Sequence, residues 1–228
     1  MPSGRGVWRP AAFLRTLGAM LRIDNLGKRY DDLLVFQGLT RSFAPGCVAL
    51  CEELSTGKST LLGMVAGVIA PDEGGVWIDG HSMAETPLQA KARLAYVPDD
   101  CLAFPAQTGR GLLQQLAAEK NAALDEAVFD WADRLGLTPH LDKRVEQMST
   151  GTRRKVYLTA AALGTPAVVV ADGPGNGLDA PARAALAEQF KAWSRDRVVL
   201  FASHDPELVR ACGAEVVELA SLGAARQF

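Results

Sequence analysis

Gly57-Lys58-Ser59-Thr60 is the stretch that most narrows what this chain can fold into. An apolar run, Cys47-Val48-Ala49-Leu50, lies a short way before it, and Leu61-Leu62-Gly63-Met64-Val65-Ala66 follows at once. Read as strand, loop and helix, this is the setting of a phosphate-binding loop. A glycine lets the backbone approach, a lysine reaches the β and γ phosphates, and a hydroxyl ligates magnesium. The helix that opens there adds its positive dipole end and free N–H groups. The first half of the loop departs from that pattern. It requires a glycine at position 52, where the chain has Glu52 followed by Glu53, with Ser55 and Thr56 leading into Gly57.

The pattern around the loop is strand-rich on one side and helical on the other. Leu21 to Leu26 and Leu33 to Phe43 read as strands, and Pro45-Gly46 as the turn before the run at 47–50. A helix is expected over 58–69, stopped by Pro71. Short strands follow at Val76-Trp77-Ile78 and Leu94-Ala95-Tyr96-Val97. Residues 108–164 turn helical in spacing, with Leu112, Leu113, Leu116 and Ala117 on one face and Val128, Trp131, Ala132 and Leu135 on another. Strands return at Ala167 to Ala171 and Val198 to Phe201, whose unbroken apolarity predicts cover on both faces. Between them a helix over 180–193 begins with Pro181 in its first turn, and Val216 to Leu219 is the last strand. Alternation at both ends with a helical insert predicts an α/β nucleotide-binding core carrying a helical subdomain.

Two further motifs bear on the loop. Asp172 ends the Ala167–Ala171 run, and an acid at the tip of a buried strand is where open α/β sheets place ligand-binding groups. There it would orient magnesium, although an acid after a strand also serves as a turn or helix cap. Met148-Ser149-Thr150-Gly151-Thr152-Arg153-Arg154-Lys155 opens a helix. Its serine and backbone N–H groups can hold a phosphate, or it is an ordinary serine cap with exposed charges behind it.

Taken in order, these residues resemble the nucleotide-binding subunit of an ABC transporter over about residues 20–220. Leu54 to Thr60 aligns with the Walker A loop, Met148 to Thr152 with the family signature and Val168 to Asp172 with Walker B. Asn176-Gly177-Leu178-Asp179 matches the D-loop, and Ala202-Ser203-His204-Asp205 the switch-histidine segment. Tyr30 stands where the family keeps an aromatic that stacks on adenine. The resemblance implies a P-loop NTPase core with an antiparallel β subdomain and a helical signature subdomain at about 98–160. It implies ATP and Mg2+ as ligands. Tyr30, Ser55, Thr56, Gly57, Lys58, Ser59, Thr60, Ser149 and Gly151 would bind nucleotide. Ser59, Asp172 and Asp99 would hold the metal, and His204 and Asp172 would act in catalysis. It further implies that two such domains, identical or different, pair head to tail, each ATP lying between one Walker loop and the other signature. A separate membrane subunit, contacted from about Leu94 to Leu116, would be driven by that pairing. The basic residues after Met-Ser-Thr-Gly look most like subunits of bacterial exporters.

The chain departs from the family around one phosphate. After Asp172 the family has a glutamate that polarises the attacking water; here Gly173-Pro174 follows. Losing such a group typically costs ~10²–10⁴-fold in rate. After Val97-Pro98, Asp99 replaces a glutamine. Glu52 and Ser55 replace glycines of the loop. If Glu52 or Glu53 faced the phosphates, repulsion at ~4 Å and an effective dielectric near 20 would amount to about 4 kcal/mol; if both faced solvent the effect would be small. Two readings follow: an ATP-binding, export-type subunit with impaired hydrolysis, and a non-catalytic regulatory or structural module paired with an active sister domain.

Composition narrows the setting. A net charge of −2 over 228 residues gives no electrostatic reason to expect a nucleic-acid partner. No apolar run approaches a membrane span, so the expected place is cytoplasmic, on the inner face of the membrane through a partner. The four cysteines form no CxxC pair, and Cys47 and Cys51 read as reduced thiols in an apolar strand and its exit. Residues 1–19, with Arg5, Arg9, Arg15 and Pro10, read as an extension or an early start ahead of Met20, or as a membrane-surface helix. Residues 221–228 read as a tail.

Overall fold

A computed structural model describes residues 18–51, 57–102 and 104–219. The tail, nearly all of the expected extension and loop residues Glu52 to Thr56 lie outside these.

In chain order the elements are β1 (Leu21–Tyr30), β2 (Leu33–Phe43), β3 (Gly46–Leu50), α1 (Lys58–Val65), β4 (Glu73–Ile78) and β5 (His81–Ser82). Then come α2 (Pro87–Ala92), β6 (Leu94–Val97), α3 (Gly109–Glu119), α4 (Glu126–Arg134), α5 (Thr150–Ala160) and β7 (Val168–Asp172). The last are α6 (Ala180–Trp193), β8 (Val198–Ala202), α7 (Pro206–Cys212) and β9 (Glu215–Val217). They make an antiparallel sheet in the order β2-β1-β4-β5 and a parallel sheet in the order β6-β7-β8-β3-β9.

The parallel strands are apolar throughout because each of their faces meets a different core. Ala49, Val169, Ala171, Val199 and Phe201 turn toward a core built with α3 to α7. Their neighbours Val48, Leu50, Val168, Val170 and Leu200 turn toward a second core, shared with α1 and the antiparallel sheet. Helix α1 is thereby sandwiched between the sheets, and its N-terminus opens at the C-terminal ends of β3 and β7. This is the α/β core, with antiparallel sheet and helices, expected from the sequence. Cys47 is buried in the first core and Cys51 partly so; both are free.

Several boundaries and elements differ from the sequence reading. Helix α1 ends at Val65 rather than 69. Gly67 has φ +67°, and the N–H groups of Gly67 and Val68 turn back to the carbonyls of Met64 and Gly63 at 3.1 and 2.9 Å, a left-handed terminal cap. Strand β1 runs on to Tyr30 because pairing with β2 continues, through register irregularities, past the point where apolar alternation stops. Helix α7 was not foreseen, although Asp205 caps it by accepting from the N–H groups of Glu207 and Leu208 at 2.9 and 3.2 Å. The helical stretch expected over 108–164 resolves into α3, α4 and α5.

Candidate functional site

The C-terminal ends of the parallel strands, the start of α1 and the far end of β1 surround a cavity of about 440 Å³. That falls in the range of roughly 300–1,000 Å³ usual for small-molecule sites. Its lining is apolar at Tyr30, Leu33 and Val35 and polar at Lys58, Ser59, Thr60, Asp99 and Asp172, with Gly57, Asn176 and His204 also contributing.

Lys58 is the first residue of α1 and is only 7% exposed. A lysine so placed has been taken out of water at the positive end of a helix, with its charge felt by Asp172. Ser59 beside it lines the same cavity as Asp172 at the end of β7, near enough to favour its carboxylate form. Asp172 is 8% exposed. Burial pushes its carboxyl above the ordinary value and Asp99 adds to the rise, while the Ser59 hydrogen bond and the charges of Arg154 and Lys58 pull the other way. A hydroxyl and a carboxylate lining one cavity with a buried cation form the donor set of a hard divalent ion shared with a phosphate. The residues therefore fit Mg2+ with a polyphosphate.

Of the sequence-predicted residues, Tyr30, Gly57, Lys58, Ser59, Thr60, Asp99, Asp172 and His204 all line this cavity. Ser55 and Thr56 lie outside the described residues. Ser149 and Gly151 do not line it. Ser149 caps α5, accepting from the Thr152 N–H at 3.2 Å, and its side chain is exposed away from this site. Gly151 is pressed against the segment after Asp172: a β-carbon there would collide with the carbonyl oxygen of Gly177.

The charges behind Ser149 do not face solvent as the plain cap reading had it. Arg154 is 1% exposed and Lys155 is buried, the latter reaching Asp179 at 3.3 Å. Helical spacing held the signal, since Arg154 falls three residues after Gly151 and four before Leu158, both buried. Asn176, read from sequence only as part of a loop motif, also reaches the cavity.

Gly173 follows Asp172 with φ +55°, in the left-handed region. Its N–H donates to the Ala202 carbonyl at 3.1 Å, and its own carbonyl accepts from Arg154 Nη1 at 2.6 Å and from the Asn176 N–H at 3.0 Å. A β-carbon at 173 would collide with the Asn176 side-chain amide. The backbone here is shaped for glycine.

Comparison with known proteins gives a consistent placement. The model of the ABC transporter family matches residues 47–176. The chain is 31% identical over 194 residues to the Nod factor export ATP-binding protein I of Burkholderia thailandensis, covering 82% of this chain and 63% of that protein. It is 34% identical over 182 residues to the molybdenum import ATP-binding protein ModC of Paramagnetospirillum magneticum, covering 74% of this chain and 48% of that one. The dimeric structure of a bacterial ABC transporter cassette superposes with a TM-score of 0.75 at 18% identity, covering 84% of this chain and 91% of the other. At that identity the likeness concerns the fold alone. The chain thus spans less than two thirds of the length of both of these relatives.

Proposed function

The chain belongs to the ABC transporter family, and on that premise we propose that it is an ATP-binding subunit, export-type, that couples nucleotide binding to a separate membrane subunit and hydrolyses ATP poorly. One observation carries the reading: a buried lysine at a helix start, the neighbouring serine, a buried aspartate and an apolar side with Tyr30 line one cavity. Lys58, Ser59 and Thr60 would hold the phosphates with the α1 N–H groups. Ser59 and Asp172 would hold Mg2+, which would supply neutralisation of phosphate charge. Tyr30 would stack on adenine. His204 would approach the terminal phosphate.

Poor hydrolysis is inferred from position 173. No carboxylate follows Asp172, and the left-handed backbone with Asn176 alongside leaves no room for one without rearrangement. The export direction is drawn from the Nod factor export relative and the basic run after Gly151. No helix among the described residues is long and apolar enough to cross a membrane, consistent with a place on the inner membrane face, held by a partner. A second reading, a non-catalytic module paired with an active sister domain, is favoured by the glycine-shaped backbone after Asp172, where a β-carbon would collide with the Asn176 amide.

Calorimetry with MgATP tests the first step. Saturable binding by the native chain and its loss in Lys58→Met support the reading; no binding by the native chain refutes it. Steady-state ATPase assay of a binding-competent chain then separates the two readings. Slow but Lys58-dependent turnover supports the first, and none, with intact pairing to a sister domain, supports the second.

A further inference from the structure

Arg154 is the bulkiest side chain sealed inside the described residues, and it is charged. Burying a guanidinium costs several kcal/mol unless its donors are well matched. Here they meet a compact set of acceptors at the ends of two neighbouring strands, β6 and β7. Nη1 donates to the carbonyls of Asp172 and Gly173 at 3.2 and 2.6 Å. Nη2 donates to the carbonyl of Asp99 at 2.6 Å and to its carboxylate Oδ1 at 3.2 Å. Nε has no partner, so the group is committed to the ends of β6 and β7 at the expense of full satisfaction.

The location of those acceptors matters more than their number. Asp99 and Asp172 both line the cavity, and the Asp99 side chain is 64% exposed. A free carboxylate at that point would face any terminal phosphate bound at Lys58. Arg154 takes one of its oxygens from behind, from within the protein.

We propose that Arg154 is a positioning residue for the nucleotide site: it draws the Asp99 carboxylate back and offsets its charge, and so sets how well the cavity accepts a third phosphate. The inference rests on the nucleotide-site reading above. It follows that discrimination between nucleoside tri- and diphosphate depends on the 99–154 pair, while the bonds to the three carbonyls serve the fold.

A released charge about 10 Å from a terminal phosphate, at an effective dielectric near 20, alters affinity by about tenfold. The test is a calorimetric titration of MgATP and MgADP, at fixed ionic strength, into the full chain, Arg154→Gln, Asp99→Asn and the double variant, with thermal midpoints in parallel. Arg154→Gln should lower the ATP:ADP affinity ratio about tenfold, and the double variant should recover it. Both should melt below the native chain, since the carbonyls lose their donor in each. Recovery of the ratio without recovery of the midpoint separates positioning from a structural role. An unchanged ratio in folded Arg154→Gln, or no recovery in the double variant, overturns the proposal. Should Arg154→Gln not fold, Asp99→Asn alone decides. It leaves Arg154 unmatched and should raise the ratio, and an unchanged ratio overturns the proposal. If the native chain binds neither nucleotide, the site reading itself has failed, which is a different result from binding with an insensitive ratio.

Discussion

Gly173→Glu inserts, directly after Asp172, the carboxylate that the family resemblance calls for. A simple deficit of one side chain would be repaired by it, with a gain near the ~10²–10⁴-fold that a positioned base supplies. The structure gives a different expectation. At φ +55° an L-residue with a side chain carries about 1–2 kcal/mol of strain. The new β-carbon would collide with the Asn176 amide and lie 3.1 Å from Asp99 Oδ1. Rotating the backbone to relieve this pulls the Gly173 carbonyl from Arg154, a charge-assisted bond worth about 1.5–3 kcal/mol. The combined loss, about 3 kcal/mol, lowers the midpoint of a domain this size by about 6–12 °C. Thermal melts and steady-state ATPase assay should therefore show a less stable protein with little gain in turnover. Gly173→Glu with Asn176→Ala, which clears the space, should regain part of the midpoint and show whatever turnover the carboxylate can give. A single Gly173→Glu variant that melts with the native chain and turns over a hundredfold faster would refute the reasoning.

Three other expectations are independent of that one. Asp172 carries its carboxyl above the ordinary value because it is buried, so the folded chain holds that proton more tightly than the unfolded chain and loses stability as pH rises through the folded pKa. Asp172→Asn should then raise the nucleotide-free midpoint at pH 7 while abolishing any Mg2+-dependent stabilisation by ATP; a lower midpoint would contradict it. Lys120, near the end of α3, is pushed down to about 8 by burial, its Nζ donating to the Leu94 carbonyl at 2.9 Å. The unfolded chain thus binds more protons between pH about 8 and 10.5, and stability should rise across that window. Lys120→Met should flatten this rise and gain about 1–2 kcal/mol below pH 8, read by denaturant melts at several pH values. Gly151→Ala should cost about 1–3 kcal/mol in urea unfolding, because the clash is with backbone that cannot swing aside; a neutral result would mean that α5 packs more loosely on Gly177.

How much of the site could be read from sequence follows from the range of the interactions. Lys58, Ser59 and Asp172 were legible because a strand end and a helix start announce themselves locally, through apolar runs and a glycine. Ser149 was legible as a cap for the same reason, whereas Asp179, which caps α6, was named only within the loop motif. Asn176 was named but not placed, since its reach into the cavity depends on the turn after β7. Arg154 was read as one of three exposed charges. Helical spacing marked its face as buried, but its partners lie 18, 19 and 55 positions away, and no window of sequence contains them.

By itself, then, the amino-acid order settled the class of fold, the strands with two covered faces and the phosphate-loop motif, because hydrophobic periodicity and capping act over a few residues. Tertiary structure alone decided that Gly173 sits in a left-handed backbone closed by Asn176, that Ser149 stands away from the cavity, and that one buried guanidinium joins Asp99 to the end of β7. Those are consequences of packing between segments far apart in the chain. Such packing fixes backbone angles and charge pairs that local preference leaves open.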